Sequence, residues 1–117
     1  MNAISVIVTA HTQERWNHTV KAVDSALMQN PPPLEVILVV DHNPRLAQLA
    51  HIELSRVTVV ENDGPRGASA ARNTGVARSR GETVVFLDDD QTAVRSDWLR
   101  RLCRHLDNPA VVGVGGG

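Results

Sequence analysis

"ETVVFLDDDQ", residues 82–91, joins an apolar run suited to a buried strand directly to three consecutive carboxylates, Asp88, Asp89 and Asp90. Similar runs rich in Val and Ile occupy residues 4–8 and 36–40, and a weaker one covers 57–60. Parallel strands covered on both faces require such near-continuous apolar segments. Between the first two runs, residues 14–29 place Trp16, Val20, Val23 and Leu27 at helical spacing on one face, ahead of Pro31, Pro32 and Pro33. Residues 68–80 form a second amphipathic stretch, with Ala71, Gly75 and Ala77, that Gly81 ends. Residues 97–106 form a third, with Leu99, Leu102 and Leu106 on a common side. Strands alternating with helices predict an α/β protein with a mostly parallel sheet flanked by helices.

Composition narrows the function. A chain of 117 residues, 42% hydrophobic, makes one domain with a modest core. Twelve basic and thirteen acidic side chains leave a formal charge of -1, so bulk electrostatics suggest neither nucleic acid nor an anionic membrane as partner. The single Cys103 cannot form an internal disulfide, which suits a reducing compartment. No apolar run approaches the ~20 residues of a membrane span, and the first residues lack a secretory signal pattern. The expected location is the cytoplasm, at the inner membrane face if the chain belongs to a longer protein. Residues 111–114 read as the start of another strand, followed by Gly115, Gly116 and Gly117. The expectation is therefore a single domain over residues 1–117 that is an incomplete N-terminal part, with an apolar face through which copies self-associate.

In an open parallel sheet, ligands bind beyond the carboxyl ends of the strands. Three polar clusters fall at such ends: Thr9-Ala10-His11, Asp41-His42-Asn43 and Asp88-Asp89-Asp90. Taken singly, an Asp after a strand is more often a turn former or helix cap, and a lone His a solvated loop residue. The acidic triple differs, because adjacent carboxylates repel one another and a hard divalent cation such as Mg²⁺ or Mn²⁺ reverses the sign of that cost. The competing reading is a solvated acidic turn. "GPRGASAARNTG", residues 64–75, adds a Gly/Pro-rich loop feeding a helix start, with Arg66 and Arg72 as cations for an anionic ligand. It is neither a P-loop nor a dinucleotide fingerprint.

The order and spacing of "SVIVTAHTQERWNHTVKAVDSALMQ", "LEVILVVDHN" and "GASAARNTGVARSRGETVVFLDDDQTAVRSDWLRRL" resemble the nucleotide-binding half of family-2 inverting glycosyltransferases. The resemblance runs over nearly the whole chain. It implies the GT-A fold, a Rossmann-like α/β sandwich that binds a nucleoside-diphospho-sugar, UDP- or another NDP-sugar, for transfer to an acceptor hydroxyl. By the same resemblance Thr9 and His11 line the base, and Asp41 belongs to an acidic pair that binds base or ribose. The second member of that pair is His42, a departure that leaves the identity of the base open. Arg72 and Asn73 match an Ala-Arg-Asn element beside the nucleotide. Asp88, Asp89 and Asp90 match the DxD motif, with Asp88 facing the ribose and Asp90, together with Asp88, holding Mn²⁺ or Mg²⁺ against the diphosphate.

Inverting transfer also needs a carboxylate general base, which in the family lies well downstream of the DxD motif. No residue after Asp107 is acidic, so the base and the acceptor pocket are expected beyond Gly117. Three other classes compete with this reading. A standalone nucleotide-sugar binding module shares every feature above without transfer. A nucleotidyltransferase is expected to carry a Gly-rich basic loop after its first strand, and "VTAHTQERW", residues 8–16, has no glycine. A phosphoacceptor receiver domain would need a late lysine, whereas the one lysine is Lys21.

Overall fold

The computed structural model describes residues 3–29, 32–62, 64, 67–88 and 111–113. The elements run β1 (Ile4–Ala10), a 3₁₀ turn (Gln13–Arg15), α1 (Trp16–Leu27), β2 (Glu35–Asp41), α2 (Pro44–Glu53), β3 (Thr58–Asn62), α3 (Ala68–Arg78), β4 (Thr83–Asp88) and β5 (Val111–Gly113). The strands form one sheet in the order β3-β2-β1-β4-β5, and every pairing is parallel. The parallel α/β sheet expected from the apolar runs is thus the observed one, including the short strand at residues 111–113. The helix expected over 97–106 lies outside the described residues.

Side chains alternate between the two faces of a strand, and here each face meets its own helices. Val6, Val8, Val36, Leu38, Val40, Val85 and Leu87 pack with Ala22, Val23 and Ala26 of α1 and with Leu46, Ala47 and Ala50 of α2. Ile7, Ile37, Val39, Val60 and Val84 pack with Ala71 of α3 on the other face. Both faces of the sheet are therefore apolar, which explains why the strands read as continuous runs.

Two helices differ from expectation. On α1 the fully buried stripe is Thr19, Ala22, Val23 and Ala26, while Trp16 and Leu27 are only partly buried along its edge. Small residues let the helix backbone approach the sheet, so the large apolar residues flank the contact instead of centring it. On α3, Ala71 and Gly75 face the sheet, but Ala77 is exposed and Val76 packs in its place. α2 lies where apolar spacing predicts no element. Its signal is local: the Asn43 side chain accepts from Leu46 N at 3.1 Å, and Pro44 opens the first turn, where its missing N–H costs nothing.

The amino edge of the sheet is closed by a polar clasp. Glu35 accepts from Ser5 Oγ at 2.6 Å and from the Arg80 backbone N–H at 2.6 Å, and Ser5 Oγ accepts from Gly81 N at 2.8 Å. Burial alone raises the Glu35 carboxyl, but the Ser5 and Arg80 hydrogen bonds and the Arg80 charge outweigh it and hold the group below its ordinary value.

Candidate functional site

The direction of chain progression reverses between β1 and β4: β2 and β3 build outward on one side of β1, and β4 and β5 on the other. Such a reversal opens a crevice at the carboxyl ends of the two strands that flank it. Thr9 of β1 and Asp88 of β4 are paired in register at that point. Asp41 ends β2 one strand away.

Parity then selects the face. Thr9 and Asp41 share the parity of Ile7, Ile37 and Val39, so they project toward α3. A cleft of about 240 Å³ forms there, lined by Thr9, Ala10, His11, Asp41, Gly67 and Ala71. It exists because α3 sits close to the sheet with its N-terminus over the strand ends. A β-carbon added at Gly75 would fall 2.7 Å from Ile7 Cγ2.

The tripeptide Asp41-His42-Asn43 ties three loops together. Asp41 Oδ1 accepts from Asn62 Nδ2 at 2.8 Å, and Oδ2 accepts from Gly67 N at 3.0 Å. His42 turns its ring to the Gly64 carbonyl, with Nε2 also 3.8 Å from Asp41 Oδ1. Asn43 caps α2 and donates through Nδ2 to the His11 carbonyl at 3.3 Å. For Asn43 the helix-cap role that is common after strands is the one observed.

Behind Asp41 stands a residue that sequence reasoning missed. Asn62 is 4% exposed and ends β3. A carboxylate can only accept, so Asn62 must turn Nδ2 toward Asp41, which leaves Oδ1 to accept from Thr74 Oγ1 at 2.9 Å. The strand-end pattern that singles out the other clusters also holds for "VVEN", residues 59–62, and could have found Asn62. Thr74, inside a helix, carries no such signal.

The remaining expected site residues are placed unevenly. Arg72 lies on α3 with its guanidinium carbon 5.8 Å from the centre of the Phe86 ring, a cation–π distance, two residues before Asp88. It and the exposed Asn73 are not among the residues that line the cleft. At the start of α3 the Gly67 N–H donates to Asp41 Oδ2 and so is engaged within the protein. Asp89, Asp90 and Arg66 lie outside the described residues, and among those described no cluster of three or more His, Cys, Asp or Glu side chains could hold a metal.

Residues 5–117 match the family model described as glycosyl transferase family 2. The chain belongs to this family. Glucosyl-dolichyl phosphate glucuronosyltransferase of Haloferax volcanii is 35% identical over 117 residues, covering 97% of this chain and 37% of that protein. Succinoglycan biosynthesis protein ExoO of Rhizobium meliloti is 39% identical over 92 residues, covering 75% and 26% respectively. The family-2 chain thus spans between about a quarter and two fifths of these relatives. Among solved structures, the mannosyltransferase PcManGT from Pyrobaculum calidifontis, in complex with GDP-Man and Mn²⁺, superposes with a TM-score of 0.75 at 25% identity, over 92% of this chain and 33% of that one. Staphylococcus aureus TarS in complex with UDP-GlcNAc superposes with a TM-score of 0.68 at 22% identity, over 90% and 31%. These neighbours have the GT-A fold, and the sheet described above is part of that fold.

Proposed function

We propose that this chain forms the donor site of an inverting glycosyltransferase and binds a nucleoside-diphospho-sugar along the carboxyl ends of β2, β1 and β4. The observation that carries the reading is the juxtaposition of Thr9, His11 and Asp41 around one cleft, with Asp88 in register beside Thr9 where the strand order reverses. Family membership and neighbours solved in complex with GDP-Man or UDP-GlcNAc support it.

In this proposal Asp41, oriented by Asn62 and Gly67, accepts from ligand N–H or O–H groups. Thr9 and His11 form the wall against the base. Arg72, steadied over Phe86, supplies a cation for the diphosphate. Adjacent carboxylates at a strand end are a hard-oxygen donor set, so Asp88 and Asp90 would hold Mn²⁺ or Mg²⁺. A bound divalent ion supplies positive charge to a leaving diphosphate. The general base that deprotonates the acceptor is proposed to come from outside these 117 residues.

Asp90→Ala tests the reading. Calorimetry with UDP and GDP at saturating Mn²⁺ is expected to show metal-dependent binding to the wild-type protein and its loss in the variant, with an unchanged circular dichroism spectrum. Equal affinity in wild type and variant would refute the metal assignment.

A further inference from the structure

We propose that His42 is a positioning residue: its imidazole latches the loop between β3 and α3 onto the end of β2 and so holds Gly67 against Asp41 on the wall of the cleft. The inference rests on the reading of that cleft as a nucleotide site.

His42 is the one non-glycine residue with positive φ among the described residues, at 52°. Left-handed backbone is unfavourable for a residue with a β-carbon, and His is among the side chains that tolerate it best. The conformation turns the ring toward Gly64, 22 residues along the chain, where Nε2 meets the carbonyl oxygen. A carbonyl oxygen only accepts, so Nε2 carries the proton. The His42 backbone N–H donates to the Asn62 carbonyl at 3.2 Å, so main chain and side chain hold the end of β3 and the Gly64 carbonyl just beyond it.

Gly67 sits at φ 119°, open to glycine but not to residues with a side chain, and Gly64 adds a second point of backbone freedom. Three residues past the latched carbonyl, the Gly67 N–H donates to Asp41 Oδ2. Holding Gly64 therefore favours the Gly67–Asp41 bond three positions on, and with it the place of the α3 N-terminus over the cleft. A carboxylate or a methyl group at position 42 has no proton to donate and cannot serve.

Two variants of the full-length protein separate backbone from side chain. His42→Gly suits φ 52° and removes the ring, so the fold is retained and only the latch is lost. His42→Gln restores an N–H donor at the reach of Nε2. The readouts are hydrogen exchange of the Gly67 amide by NMR and calorimetric affinity for UDP and GDP with Mn²⁺. Loss of one hydrogen bond predicts roughly tenfold faster Gly67 exchange and roughly tenfold weaker binding of the preferred nucleotide in His42→Gly, with both recovered in His42→Gln. Gly67 exchange in His42→Gly equal to wild type overturns the latch. Faster exchange with unchanged affinity overturns its role in the site. If wild-type protein binds neither nucleotide, the donor-site reading fails and His42's part in binding with it, while the exchange rates still decide whether the latch exists.

Discussion

Asp41 meets two protein donors on its two oxygens, Asn62 Nδ2 and Gly67 N–H, so its orientation is set before any ligand arrives. Replacing it by Asn keeps the shape and removes the charge that makes these bonds strong. Charged hydrogen bonds contribute about 1.5–3 kcal/mol, so Asp41→Asn is expected to weaken nucleoside-diphosphate binding at least roughly tenfold. Calorimetry on a variant whose melting temperature stays near wild type checks this. At the opposite edge, the Glu35 side chain is 8% exposed and serves the fold alone. Its folded carboxyl is held below the ordinary value of 4.5, so its stabilisation is present in full above that pH and is lost as pH falls below it. Urea titrations between pH 3 and pH 7 are expected to show a smaller acid-side loss in Glu35→Gln than in wild type, and a lower stability at pH 7 by about 1–3 kcal/mol.

Helix α3 owes its place over the cleft to what it lacks. A methyl group at Gly75 would meet Ile7 Cγ2 at 2.7 Å and Val39 Cγ2 at 3.2 Å, side-chain ends that can shift. At Gly81, on the link from α3 to β4, it would meet the Ser5 backbone nitrogen at 2.6 Å, which cannot shift without breaking the clasp. Gly75→Ala is therefore expected to cost about 1–3 kcal/mol, and Gly81→Ala more than Gly75→Ala. Denaturant midpoints measured side by side test the ordering; a larger loss at Gly75 would show that the α3 interface, not the sheet edge, is the stiffer element. Gly75→Ala should also lower nucleotide affinity, because lifting α3 moves Gly67 away from Asp41.

For the molecule as a whole, the proposed division of labour places donor binding within the 117 residues and the acceptor base outside them. The chain is expected to bind a nucleoside diphosphate in the presence of Mn²⁺ and to transfer no sugar. Incubation with a panel of nucleotide-sugars and candidate acceptors tests it, with Asp90→Ala as control. Turnover above that control would place a base within residues 1–117. Among the described residues no helix is long and apolar enough to cross a membrane.

The apolar runs at residues 4–8, 36–40 and 83–87 determined by themselves that the sheet is parallel and covered on both faces, because only strands without a wet face read as unbroken hydrophobic segments. The polar residues that end these runs marked Thr9, His11, Asp41 and Asp88 before any coordinates, since a strand that stops being apolar has reached the sheet's edge. Tertiary structure alone decided which of these share a wall. The pairing of Thr9 with Asp88 depends on β4 returning beside β1, 79 positions along the chain in register. The grips of His42 on Gly64 and of Glu35 on Ser5 and Arg80 span 22, 30 and 45 residues. Nothing local at either end encodes such bonds: a His beside an Asp, or a Glu at a strand start, acquires its partner only when loops distant in sequence are brought to the same edge of the sheet.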